Sequence, residues 1–231
     1  MINIENVEVY GWEAAIRGMR NPMNSWDKSD SFKQTVVDEV EVVPGEWQEV
    51  YENSGIGPND LNLMKRLIKA GPDHSKFMRM IGVFVDIVAP LYWWKEFDTY
   101  KVGTVANSCS TMHKIHDKEF TLDDFSHEHL LTPDEVEWGD YIPKIWLEET
   151  INLLNQNRKK FIETKDKKYW WNMIQLLPSS YNQRRTVSLN YAVLANMYHA
   201  RKEHKLDEWR NFCEWIKTLP YSELITGEKV E

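Results

Sequence analysis

Residues 100–112 read Tyr-Lys-Val-Gly-Thr-Val-Ala-Asn-Ser-Cys-Ser-Thr-Met. Short hydrogen-bonding side chains crowd this stretch: Thr104, Asn107, Ser108, Ser110 and Thr111 stand between Lys101 and the pair His113 and Lys114. Such groups, with cations nearby, bind a phosphate through backbone N–H groups and side chains. The same small residues also suit a tightly packed helix or turn, and composition does not separate the two readings. The glycine spacing of a phosphate-binding P-loop is missing, so nucleoside-triphosphate hydrolysis does not follow. Nothing adjacent activates Cys109, which reads as a small buried filler.

Upstream, Leu91–Tyr100 is strongly aromatic and has helical spacing, and Pro90 separates it from an apolar β-rich run, Phe77–Val88. Before that run, Gly71-Pro72-Asp73-His74-Ser75-Lys76-Phe77 reads either as a solvated turn or as a ligand-touching loop in which His74 supplies a proton or donor and Lys76 a charge. Leu61, Met64, Leu67 and Ile68 recur at helical spacing after Asp60, taken as the N-cap, and Gly71-Pro72 ends that helix. Residues 20–34 are polar and turn-rich, a loop expected to be mobile or ligand-facing. Ile2–Tyr10 alternates as a first strand and Trp12–Met19 fits a short helix.

Downstream, residues 117–140 are acidic loop material, and helices are expected over 142–162, 165–177, 187–201 and 207–219. Ser179–Arg185 (SSYNQRR) precedes the third of these. Arg184 and Arg185 are therefore expected near a helix N-terminus, where guanidinium and dipole together attract an anion, unless they are plain surface charge. A few strands followed by a helix-rich second half make the fold class α+β with a small sheet.

The chain has 231 residues, 42% hydrophobic and 28% charged, which fits one globular domain over 1–231. A net charge of -8 disfavours a duplex-DNA partner, which would call for a basic stripe. Cys109 and Cys213 form no metal or disulfide pattern, and no metal site is expected. No apolar run is long enough to span a membrane, and the start lacks the features of a signal peptide. The expected setting is the reducing cytoplasm. The zinc-protease, nucleophile-elbow and dinucleotide-binding signatures are also missing.

In order, these segments resemble the flavin-dependent thymidylate synthases. That family places a His after a Gly, then a strand, a Pro-led helix and an RHRxxSxNxxSxR motif, then a Leu-Pro and an Asn-Leu-Arg-like triplet. Here the order is Gly71…His74…Phe77, the strand to Val88, Ala89-Pro90, Tyr100–Met112, Leu177-Pro178 and Ser188-Leu189-Asn190, spanning about residues 60–220. Asn107 and Ser110 match the motif. Tyr100, Lys101 and Val102 occupy its RHR positions, Val105 its first Ser, and Met112 its last Arg. The resemblance implies a thymidylate-synthase-like fold, a homotetramer with sites shared between chains, FAD as cofactor and a pyrimidine nucleotide as ligand. It also implies Lys101, Asn107, Ser110, Arg184, Arg185 and Asn190 at the nucleotide, and His74 and Lys76 at the cofactor. Two readings follow. One is a flavoprotein moving a one-carbon unit or hydride at the base. The other is a non-catalytic protein, of viral origin, that binds or sequesters a nucleotide-like molecule.

The chain carries 11 Trp, several-fold above ordinary usage. Trp93-Trp94 and Trp170-Trp171 precede the two segments named above and are expected to wall a pocket or subunit seam. Replacing Trp94 or Trp171 is then expected to weaken assembly or ligand binding, read by analytical ultracentrifugation and calorimetry. An unchanged oligomer with unchanged binding overturns this.

Overall fold

The alternation from Asn3 to Tyr10 forms β1, and the chain then turns at Gly11 into helix α1, Trp12–Arg20. Gly11 has φ +90°, and a Cβ there would stand 2.1 Å from the Met80 carbonyl oxygen. Only glycine fits this corner. In this computed structural model, which describes residues 2–32, 34–53, 55–137 and 141–228, there follow β2 (Gln34–Val43), β3 (Glu46–Asn53), α2 (Pro58–Lys69), β4 (Gly82–Pro90), α3 (Leu91–Phe97) and β5 (Val105–Ser108). The second half supplies α4 (Pro143–Thr164), α5 (Lys167–Leu176), β6 (Asn182–Asn190), α6 (Tyr191–Arg201), α7 (Asp207–Lys217) and α8 (Glu223–Thr226). Residue 33 of the expected 20–34 loop, residues 138–140 of the acidic stretch and the end of the tail lie outside the described residues.

The α+β pattern holds: a four-stranded sheet in the order β1-β4-β6-β5, a separate antiparallel hairpin of β2 with β3, and helices that dominate the second half. Two expected elements differ. The run before Val88 begins as a 3-10 turn over Lys76–Arg79, and the strand itself starts at Gly82. The expected helix over 187–201 is a strand to Asn190 and a helix only from Tyr191. In β6 the inward residues are Gln183, Val187 and Leu189, and a polar residue in that set obscured the two-residue period.

The chain divides into two compact units. The first comprises residues 1–8, 84–188 and 200–215. Its aromatic core gathers Trp93 against Trp209 (4.8 Å between ring centroids), Trp94 (4.9 Å) and Phe97 (5.2 Å). Trp93 and Trp94 are 0% and 1% exposed, so they fill the interior of this unit rather than a seam. A second cluster packs Leu147, Ile151 and Leu154 of α4 with Met173 of α5, Phe120 and Phe125.

The second unit comprises residues 9–83, 189–199 and 216–231. Trp12 lies edge-on to Tyr191 (5.1 Å) and Tyr221 (5.2 Å). Asp60 is not the N-cap of α2; Gly57 is, and Asp60 lies inside the first turn. The cap comes from far away in sequence: the Asp30 carboxylate accepts the N–H groups of Asn59 (2.9 Å) and Asp60 (3.1 Å). The Asp60 side chain is buried and accepts from Arg20 Nε (2.6 Å), Ser29 Oγ (2.7 Å) and Ser31 Oγ (2.6 Å). Burial raises its pKa, but bonds from Ser31, Ser29 and Arg20 outweigh that and hold it below the ordinary carboxylate value. Arg20 is equally enclosed, its remaining N–H groups going to the carbonyls of Ser25 and Lys28.

Arg20→Ala leaves a buried carboxylate without its cation and is expected to lower stability by about 3–5 kcal/mol. Urea unfolding checks this, and a loss below about 1 kcal/mol would show the pair to be dispensable.

Candidate functional site

Past β5, the Cys109 N–H donates to the Arg184 carbonyl (2.9 Å) and Gln183 Nε2 donates to the Cys109 carbonyl (2.7 Å). These bonds tie the segment to β6. Ser110 Oγ then accepts the N–H groups of His113 (2.8 Å) and Met112 (3.2 Å), closing a turn. Phe125 bridges Tyr181, and the Ser126 N–H donates to the Ser180 carbonyl (2.8 Å). Together these segments line a cavity of about 580 Å³ whose polar wall includes Ser110, Lys114, Lys118, Tyr181, Asn182 and Arg184.

Each cation here has a carboxylate. Lys118 pairs with Asp124, and Lys114 with Asp117 at 3.1 Å. Both lysine side chains are mostly exposed, at 69% and 73%. Pairs of that kind are worth about 0–1 kcal/mol, so either lysine exchanges readily to an oxyanion. Arg184 is held more firmly, with Nη2 2.9 Å from both Asp86 and Glu5. Hydrogen bonds from Thr186, then Asn6, then Arg184 pull the Asp86 pKa down from 3.8 to about 2. Burial, reinforced by Asp124 and Cys109, pushes the Tyr181 phenol above its ordinary value, which keeps it a neutral donor. Asn182 donates from Nδ2 to the Asp123 carbonyl (3.4 Å), while its buried Oδ1 has no partner among the described residues. A buried acceptor left unmet calls for a donor, and a ligand N–H or hydroxyl would satisfy it.

Of the residues singled out from sequence, Ser110 and Arg184 line this cavity; Lys101, Asn107 and Arg185 do not. Lys101 and Asn107 are exposed, Asn107 lying opposite Thr186 across the β5–β6 pair. Arg184 and Arg185 stand in β6, not at a helix N-terminus. Arg185 is committed to its own unit: its guanidinium lies 4.2 Å from the Trp94 ring centroid, with Nη1 donating to Asp98 (2.7 Å) and Nε to Gln183 Oε1 (2.9 Å). His74, Lys76 and Asn190 belong to the second unit. His74 and Lys76 are exposed, and Asn190 accepts the Val193 N–H (3.0 Å) at the start of α6. Cys109 is exposed, not a buried filler. Sequence reasoning missed Lys118, which stood in a charged stretch with no pattern to mark it. It passed over Asn182 and Gln183 because the arginines beside them drew the argument.

No family model matches the chain, and no curated protein matches it. Solved structures do. Flavin-dependent thymidylate synthase ThyX from Helicobacter pylori, solved with FAD and dUMP, superposes with a TM-score of 0.63 at 16% identity, over 96% of this chain and 99% of that one. The UMP/dUMP methylase PolB from Streptomyces cacaoi, solved with 5-Br UMP, gives 0.59 at 13% identity, over 98% and 94%. The fold is that of the flavin-dependent thymidylate synthases.

The resemblance assigns the flavin grip to the motif positions. The Tyr100 hydroxyl is taken by Arg201 Nε (2.9 Å), Val102 is 90% exposed, and the Met112 carbonyl accepts the Trp170 indole N–H (2.9 Å). Lys101 alone offers charge there, a point charge rather than a bidentate fork. This donor set does not fit the flavin grip that the resemblance implies.

Thr186→Val removes the strongest donor to Asp86 and is expected to raise that carboxyl toward 3.8. A depressed carboxylate contributes stability in full above its unfolded pKa and loses it as pH falls through the folded one. For Asp86 that loss runs between 3.8 and about 2, and in the variant it is complete at a higher pH. Carbon-detected NMR titration of Asp86 tests this; an unmoved titration overturns it.

Proposed function

We propose that the chain binds a pyrimidine nucleotide or a close analogue in the cavity between the segment after β5 and β6, without flavin chemistry. The observation that carries this is the unmet Asn182 Oδ1 in a wall that also holds Lys114 and Lys118. Asn182 would take an N–H from the base edge, Tyr181 would donate, and the two lysines would leave Asp117 and Asp124 for the phosphate. Ser110 is already spent on its turn and shapes the wall rather than gripping charge. A non-catalytic role, binding or sequestering the nucleotide, is favoured over a flavoenzyme by Tyr100, Val102 and Met112 at the motif's cationic positions. We propose a homo-oligomer as well, a tetramer by resemblance. Val105 at the start of the outer strand β5 and Val102 in the turn before it, at 71% and 90% exposure, are apolar surface that a second copy would cover.

Purified protein is expected to be colourless and to release a nucleotide on heating, identified by mass spectrometry. Added dUMP should bind with Kd below millimolar by calorimetry, and Lys114→Glu with Lys118→Glu should weaken it at least tenfold. A yellow protein with flavin absorbance would reinstate the enzyme reading, and absence of any dUMP or UMP binding would overturn the nucleotide reading.

A further inference from the structure

A second cavity, of about 410 Å³, lies where α4 and α5 meet the segment after the motif; it is lined by His113, His116, Phe161, Lys167, Trp170 and Trp171. Half of its wall is aromatic and the other half can carry positive charge, with no carboxylate in the lining. Trp170 is fixed by its bond to the Met112 carbonyl (2.9 Å), and it holds Trp171 edge-on at 4.8 Å and 71°. Trp171 leaves 49% of its surface exposed; Trp26, Trp47 and Trp146 are more open still, but Trp171 is the exposed indole in this lining. Phe161 is packed edge-on by His116 at 4.9 Å. His116 Nδ1 is buried and has no hydrogen-bond partner among the described residues.

The charge around this cavity runs against the rest of the chain. Lys159, Lys160, Lys165, Lys167 and Lys168 face only Glu163 and Asp166 in the same stretch, although the chain as a whole carries -8. Lys168 engages Asp166 at 2.9 Å. Lys167 and the His113 ring have no side-chain partner among the described residues, so the lysine charge and the hydrogen-bonding groups of both are available to a ligand. The volume lies within the ~300–1,000 Å³ of small-molecule sites.

We infer that this cavity is a second binding site, for a planar aromatic ring that bears a carboxylate or a phosphate. The ring stacks on the open face of Trp171 and meets the Phe161 edge, the mode by which aromatic side chains hold flat ligands. The anionic group reaches Lys167 and His113, and its oxygen supplies the acceptor that His116 lacks. Neither half of the ligand suffices alone: an uncharged ring leaves the cations solvated, and a bare anion leaves the indole uncovered.

Calorimetry with 2-naphthoate, 1-naphthyl phosphate, uncharged 2-naphthol and inorganic phosphate tests this on the full chain. At least one naphthyl anion is expected to bind with submillimolar Kd, the tighter of the two naming the anion's chemistry. Naphthol and inorganic phosphate should bind at least tenfold more weakly. Trp171→Ala and Lys167→Glu should each weaken the naphthyl anion at least tenfold, the latter with the melting temperature little changed, since the Lys167 side chain is exposed. The paired Lys114→Glu and Lys118→Glu variant, altered in the first cavity, should bind the naphthyl anion like the parent, so this result stands whether or not that cavity binds dUMP. The inference is overturned if neither anion binds, if naphthol binds as tightly, if Trp171→Ala or Lys167→Glu binds like the parent, or if the paired Lys114 and Lys118 variant loses the naphthyl anion.

Discussion

The indole N–H of Trp94 donates to the Gln183 carbonyl at 2.9 Å, and much of the first unit hangs on that bond. It fastens α3 to β6 at a fully enclosed point, where an unmet polar group would cost about 1–3 kcal/mol. The Gln183 side chain reaches the Cys109 carbonyl, and the Arg185 guanidinium closes over the same indole while bonding Gln183 Oε1. The main chain repeats the pattern: the first N–H groups of α3, at Leu91 and Tyr92, donate to the carbonyls of Tyr181 and Ser179. One short stretch of β6 thus orients the aromatic core on one side and the segment with Ser110 on the other. The first cavity has its shape because these bonds leave little freedom in how that segment can lie.

What could be read from the sequence was what local chemistry decides. Pro90 marked the end of β4, and Pro178 with the helical spacing of the C-terminal half placed α4, α5 and α7 to within two residues. The order of motifs carried the fold. What escaped depends on distant partners. Asp60 looked like a cap because caps are usually local, yet Asp30 takes that role and Asp60 turns inward to Arg20. The end of β6 looked helical because Val187 and Leu189 run straight into the apolar residues of α6, and its start went unread because the buried face includes Gln183, whose burial makes sense only once the Cys109 carbonyl stands opposite. The hairpin of β2 and β3 went unread despite Pro44-Gly45 between its strands. At the site, the arginines that attracted attention are each paired with a carboxylate: strand pairing sets Arg184 beside Asp86, and Arg185 meets Asp98 at the end of α3.

The two cavities show two ways in which an acidic chain places cations beside a cavity, and only the second has no carboxylate in its lining. Around the first, the cations are lent to nearby carboxylates through exposed, weakly held pairs. Around the second, lysine outnumbers acid in one stretch and part of the charge is not shared. Screening at physiological salt falls off over ~8 Å, so each patch acts on a ligand almost independently of the net charge.

The order of strands has a consequence for how the chain comes to be folded. β6 stands between β4 and β5, yet it is the last of the four to be synthesised. Until residue 190 has left the ribosome, β4 can pair only with β1, and β5 has no strand to join. Its inner edge stays open during that interval, a template for wrong pairing and a slow step, since the partners lie far apart in sequence. The sheet is therefore completed after translation of most of the chain, and a nascent chain stalled before Asn182 would be prone to aggregate rather than to fold in part.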